Sequence, residues 1–169
     1  MGDAVIRLDI FFEKKMQKIL RSVVYVSRSM QPMSLDELGK LLTQARASNQ
    51  AEGISGVLLH HDGLFLQLIE GEPKAIDTLL NKITADRRHE GLLILADSEQ
   101  DRPPMFPEWK MGFYHLSSIE QVIGPGLMEN ATRDMDNATR VVNPDDPAAI
   151  LMAAVWKANR QHFDRAPPA

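Results

Sequence analysis

Ile54-Ser55-Gly56-Val57-Leu58-Leu59-His60-His61-Asp62-Gly63-Leu64-Phe65-Leu66-Gln67-Leu68-Ile69-Glu70-Gly71 is the stretch that decides the fold. Two apolar runs, residues 54–61 and 64–70, flank the dipeptide Asp62-Gly63. A two-residue hairpin turn needs φ > 0 at both central positions, and Asp-Gly tolerates that. The stretch therefore predicts two antiparallel strands. Gly56 to Leu59 and Leu64 to Ile69 are apolar on both sides, so both sheet faces must be covered.

Working upstream, Ser34 and Glu37 form a capping box that starts a helix at residue 35. Leu35, Leu38, Leu42 and Ala45 make its buried stripe. The Val- and Tyr-rich residues 22–27 precede it as a strand. Downstream, residues 74–86 predict a second helix facing the core with Ile76, Leu79, Leu80 and Ile83. Residues 92–97 follow as a strand, then a Pro-rich loop over 100–107, then a strand over 109–115. The order is β-α-β-β-α-β-β, the split βαβ pattern with one added strand. This predicts an α+β, ferredoxin-like βαββαββ domain: a five-stranded mixed sheet with two helices on one face. C-terminal helices would cover the other face. Asp146-Pro147 reads as a cap followed by Pro at the first helical position. Residues 148–156 are apolar nearly all round, as expected of a helix sandwiched between its own sheet and another subunit.

The boundaries that follow are 1–20 for an N-terminal extension, 21–116 for the core domain and 117–169 for a helical cap or tail. Leu8, Phe12, Met16 and Ile19 make a helical stripe within the extension. The alternative is that Met16 is the natural start, with residues 1–15 lying upstream of it.

Composition narrows the chemistry. The chain of 169 residues carries 19 Lys+Arg against 23 Asp+Glu, a net charge of −4, and no Cys. That mild acidity does not suit a phosphate-backbone binder, so no nucleic-acid partner is expected. Without Cys there is no disulfide, thiolate nucleophile or Cys-ligated metal. The longest apolar run falls well short of the ~20 residues that span a bilayer, and no signal peptide is apparent. A cytoplasmic protein without a membrane partner is expected.

The informative side chains are polar groups at positions where the pattern asks for apolar ones. Asn49 lies within about 20° of Leu38 and Leu42 on a helical wheel. Gln67 shares a strand face with Phe65 and Ile69, and Tyr25 shares one with Val23. A buried carboxamide or phenol must be hydrogen-bonded, at about 1–3 kcal/mol for each group left unmade. Each could bond nearby backbone and be merely structural. Together they suggest a flat ligand with donors and acceptors on its edge, wedged between the two helices. Lys82 and Asp86 fall beside the core stripe of the second helix, and Arg87, Arg88 and His89 follow at its end. They read either as a solvated helix end or as a phosphate site at the mouth of the crevice. Trp109, Met111 and Phe113 share a face of the last strand, as ordinary core residues would.

Other motifs are missing. There is no Gly-rich phosphate loop, nucleophile motif or His-rich metal spacing, and the adjacent His60 and His61 point to opposite faces. Leu64 to Ile69 does not fit the aromatic motif of an RNA-recognition module. Ser27 to Pro32 does not fit the phosphate loop of an acylphosphatase-type hydrolase.

The blocks Val24-Tyr25-Val26-Ser27, Asn49, Gly53-Ile54-Ser55-Gly56-Val57-Leu58-Leu59, Asp62 to Gly71, Asp86-Arg87-Arg88-His89 and Trp109-Lys110-Met111-Gly112-Phe113 resemble the BLUF family. That family contains blue-light sensors that use flavin. The resemblance implies FAD or FMN between the two helices and no enzymatic activity in the domain. It implies that Tyr25 donates an electron and a proton to the excited ring. Gln67 would bridge Tyr25 and the ring edge, and Asn49 would bind the carbonyl and imide edge. Phe65 would line the site, and Lys82, Asp86, Arg88 and His89 would lie near the ring or the ribityl-phosphate. Trp109 and Met111 would form the switch strand. Ser48 departs from the Asn or His found in many relatives. Because no output domain fits after His115, signalling to an unspecified protein partner or through a homo-oligomer is expected. The competing expectation is a light-independent ligand-binding or scaffold module of the same topology.

Overall fold

A computed structural model describes residues 19–107, 111–115, 136–137, 140 and 143–163. Its elements are β1 (Leu20–Ser29), α1 (Leu35–Glu52), β2 (Ser55–His61), β3 (Leu64–Gly71), α2 (Pro73–Ala85), β4 (His89–Gln100), β5 (Gly112–His115) and α3 (Pro147–Phe163). The sheet order is β4-β1-β3-β2-β5. The first four of these strands are antiparallel to their neighbours, and β5 adds to β2 in parallel. The class is α+β, with an antiparallel core of four strands and helices packed against it.

Local chemistry sets the element ends. Asp62 and Gly63 have φ of 47° and 77°, so the hairpin turn adopts the backbone that its sequence favours. Ser34 caps α1: its hydroxyl accepts from the Glu37 amide at 3.3 Å, and the Glu37 carboxylate accepts from the Ser34 amide at 2.8 Å. Gly53, at φ 66°, ends α1 in the left-handed conformation.

The sheet separates two cores. On one face Val23, Tyr25, Leu58, Phe65 and Ile69 pack with Leu38 and Leu42 of α1 and Ile76 of α2. On the other, Val24, Val57, Leu59 and Leu68 pack with Ala148, Met152 and Trp156 of α3. This is the two-sided burial that the apolar runs of β2 and β3 require. Ile150, on the outer side of α3, remains 44% exposed.

A charged clasp ties α3 to the sheet. Arg102, in the loop after β4, lies 2.8 Å from Glu70 of β3 and 2.6 Å from Asp146. Asp146 also accepts from the amides of Ala148 and Ala149, each at 3.1 Å, and so caps α3. Glu70 further accepts from the Met105 amide at 2.8 Å and from Ser22 at 3.0 Å.

Two strands are longer than the sequence pattern predicts. β1 begins at Leu20 and β4 spans His89–Gln100, against expectations of 22–27 and 92–97. The added residues are mostly polar and show no apolar signature. Pairing holds them: Arg21 bonds Asp97 through two nitrogens, at 2.9 and 2.8 Å, across the β1–β4 ladder. Asp86 caps the C-terminal end of α2, and His89 opens β4 rather than trailing the helix. Trp109, expected on the last strand, lies outside the described residues, as do residues 1–18 and 116–135.

Gly56 shows why a small residue sits in β2. A Cβ there would fall inside van der Waals contact of the Leu68 carbonyl oxygen, which is backbone and cannot swing away. Gly56→Ala is expected to cost at least ~1–3 kcal/mol, the usual penalty of overpacking. A urea unfolding midpoint equal to the parent's would contradict this.

Candidate functional site

The register of the sheet brings the expected side chains together. Tyr25 of β1 pairs with Gln67 of β3, and Gln67 pairs with Leu58 of β2. Directly opposed residues on antiparallel strands share a face, with Cβ atoms ~4.5–5.5 Å apart. The Tyr25 hydroxyl accordingly donates to Gln67 Oε1 at 2.5 Å. The other end of the carboxamide, Nε2, donates to Met111 Sδ at 3.3 Å. The carbonyl thus faces the phenol and the amide faces the sulfur. Tyr25 is 2% exposed, Gln67 9% and Met111 2%. Burial pushes the Tyr25 phenol well above its ordinary value, so it stays protonated and remains a donor.

These groups form the floor of a cavity of about 840 Å³, counted with its open mouth, between α1 and α2. Tyr25, Asn49, Phe65, Gln67, Lys82, Asp86, Arg88, His89 and Met111 all line it. Asn49, 2% exposed, comes from the last turn of α1, where the Ile54 amide also bonds its carbonyl at 2.8 Å. Leu41 and Ala45 of α1 and Leu79 and Ile83 of α2 supply apolar walls.

The rim is polar. Arg88 donates to both Asp86 oxygens, at 3.0 and 2.5 Å, and its own amide reaches Asp86 Oδ1 at 3.0 Å. The Arg88 guanidinium holds the Asp86 carboxyl below its usual range, with burial opposing. Deeper in, the rings of His60, Phe65 and His89 form a column with centroid separations of 4.6 and 5.1 Å. His89 Nδ1 lies 3.3 Å from the Ser27 hydroxyl.

Burial pushes the His89 imidazole below its ordinary value; Asp86 opposes this and Arg88 reinforces it. A base with a depressed folded pKa is protonated first in the unfolded chain. Its contribution to stability is therefore full above about pH 6.5 and falls as pH drops toward the folded value. Urea midpoints of the parent should decline over that interval, and His89→Asn should flatten the decline. Parallel profiles for parent and variant would show that His89 is not the titrating group.

Several residues of the site escaped the sequence reading. Leu41 falls four residues before Ala45 and seven before Ser48, on the helix face that leads to Asn49, a pattern that was there to be read. Ser27 continues the Val23–Tyr25 alternation. Gln44 also lines the cavity, and Arg46 bonds the Met111 carbonyl at 3.0 Å; neither carries a motif. Among the described residues, no three His, Asp or Glu side chains gather as a metal site, and no helix is long and apolar enough to cross a membrane.

The arrangement suits a flat heteroaromatic ring. Two buried carboxamides carry donors and acceptors, opposed aliphatic side chains can sandwich the faces of a ring, and Lys82 and Arg88 add cationic groups to the lining.

Comparison with known proteins agrees. The family model described as sensors of blue-light using FAD matches residues 20–112. The photoactivated adenylate cyclase subunits beta and alpha of Euglena gracilis are 34% and 35% identical over 102 residues, which is 59% of this chain but only 12% and 10% of theirs. The chain thus spans about a tenth of the length of these curated relatives. Among solved structures, a bacterial light-regulated adenylyl cyclase aligns with a TM-score of 0.57 and 28% identity, covering 84% of this chain and 35% of that one. BlrB, a BLUF protein in its dark state, aligns at TM-score 0.57 and 26% identity, covering 75% of this chain and all of its own. BLUF domains bind flavin, and with a family match over more than half of its length this chain belongs to the BLUF family, sensors of blue light using FAD.

Proposed function

We propose that this chain senses blue light through a flavin, FAD or FMN, held between α1 and α2, and that Tyr25, Gln67 and Met111 convert absorption into a rearranged hydrogen-bond network. The observation that carries the reading is the buried relay from the Tyr25 hydroxyl through the Gln67 carboxamide to Met111 Sδ. Bound flavin would supply blue absorption and an excited state able to oxidise a neighbouring phenol. Tyr25 would give an electron and its proton to that ring and recover both on return to the dark state. Gln67 has chemically distinct ends, so rotation or tautomerisation exchanges donor for acceptor. In a low-dielectric pocket every neighbour must then pair anew. Asn49 would anchor the ring edge, Phe65 and the apolar walls its faces, and Lys82, Asp86, Arg88 and His89 its far side.

The sensing unit in this reading is residues 21–116 of a ferredoxin-like βαββαββ fold, with 1–20 as an extension and 117–169 as a helical cap. It performs no enzymatic turnover. Met111, with Trp109, passes the change to β5, and the C-terminal helices carry it to a protein partner or a second copy, in the cytoplasm. The outward-facing Ile150 supports a role for α3 in such a contact. The test is an absorption spectrum of purified protein before and after blue light. A reversible red shift of the flavin band is expected. A protein that stays colourless when flavin is added overturns the proposal and favours a scaffold.

A further inference from the structure

We infer that Arg46 is a positioning residue that hastens the return of the lit state to the dark state by pinning the backbone at Met111. This rests on the light-sensing reading above.

Met111 immediately precedes β5, whose pairing with β2 begins at Gly112 opposite Val57. The sheet ladder therefore does not fix Met111. Its side chain has three rotatable bonds and adapts readily, so packing alone defines its position weakly. One bond does fix its backbone: Arg46 Nε donates to the Met111 carbonyl at 3.0 Å. Arg46 stands on α1, the helix that also presents Asn49 to the cavity. The clamp thus refers Met111 to the wall of the pocket rather than to the sheet.

The direction of the effect follows from the Gln67 contact. The amide end of Gln67 now faces Met111 Sδ as a donor, at 3.3 Å. A rearrangement that turns the acceptor end toward Met111 sets oxygen lone pairs against sulfur lone pairs. Met111 relieves this by withdrawing. With its carbonyl held by Arg46 it withdraws less, so the lit arrangement stays under strain and reverts sooner. Without Arg46, Met111 backs away and the lit arrangement persists.

The experiment follows the decay of the red-shifted spectrum in darkness after a blue pulse, in flavin-loaded full-length protein. Arg46 is exposed and methionine is a good helix former, so Arg46→Met should fold. It should bind as much flavin and shift as far as the parent, but return about three- to tenfold more slowly. Arg46→Lys keeps a charged donor and should stay within about twofold of the parent. In a Met111→Ala background, Arg46→Met should add almost nothing, because the held backbone then carries no sulfur to oppose Gln67. A parental or faster return in Arg46→Met overturns the inference, as does a lysine variant as slow as the methionine one, or a full effect on Met111→Ala. A parent that shows no shift at all overturns instead the light-sensing reading on which the inference rests.

Discussion

Gln67→Leu is expected to give a protein that still binds flavin and is blind to light. Leucine has nearly the volume of glutamine, so the space between Tyr25, Leu58 and Met111 stays filled. What disappears is the acceptor for the Tyr25 hydroxyl and the donor to Met111 Sδ. One buried phenol is left short of a partner, at about 1–3 kcal/mol, partly offset because the buried carboxamide is gone as well. Flavin retention should survive, since Asn49, the aliphatic walls and the basic rim are untouched. The red shift should vanish, because leucine has no ends to exchange. Tyr25→Phe should have the same outcome for the complementary reason: the acceptor remains and the electron and proton donor is lost. A light-minus-dark difference spectrum decides the matter, and a normal photocycle in Gln67→Leu would remove Gln67 from the mechanism.

Arg102→Met should be the most destabilising single change considered. Arg102 stands between two carboxylates whose side chains are fully buried, at 2.8 Å from Glu70 and 2.6 Å from Asp146. Methionine leaves both without their counter-charge, and breaking a buried pair in this way costs ~3–5 kcal/mol. The deficit should shrink in acid. Burial already pushes the Glu70 carboxyl above its usual range against the pull of Arg102, the Met105 amide and Ser22. Without Arg102 it rises further. A carboxyl with a raised folded pKa favours the folded state at low pH and loses that advantage as pH rises through the folded value. Urea midpoints at several pH values should therefore converge for parent and variant as pH falls. A constant gap would mean that the loss is one of packing rather than of charge. Hydrogen exchange should rise first in α3, whose capping residue Asp146 loses its anchor.

Much of the fold was legible because its signals are local. Asp62-Gly63 specifies a turn from two residues, Ser34 and Glu37 specify a helix start from four, and period-two alternation assigns Val23, Tyr25 and Phe65, Gln67 to one face. The ends of β1 and β4 were not legible. Leu20, Ser29, Glu99 and Gln100 join strands because a partner strand lies alongside, and nothing in their own neighbourhood demands it. The site divides in the same way. Asn49, Gln67 and Tyr25 stood out as polar groups in apolar patterns. Arg46 and Ser27 did not, because an exposed arginine and a small hydroxyl are unremarkable until their partners are known.

The residues by themselves determined which elements form, which of their faces turn inward, and that a phenol and two carboxamides would be buried between helices, since propensity, capping and periodicity act within a few positions of the chain. Only the tertiary structure decided that Tyr25 opposes Gln67 in register, that the amide end of Gln67 meets Met111, and that Arg102 joins Glu70 to Asp146. Those pairings link residues 42, 44, 32 and 44 positions apart, and no local interaction can specify which distant atoms will meet when the chain closes.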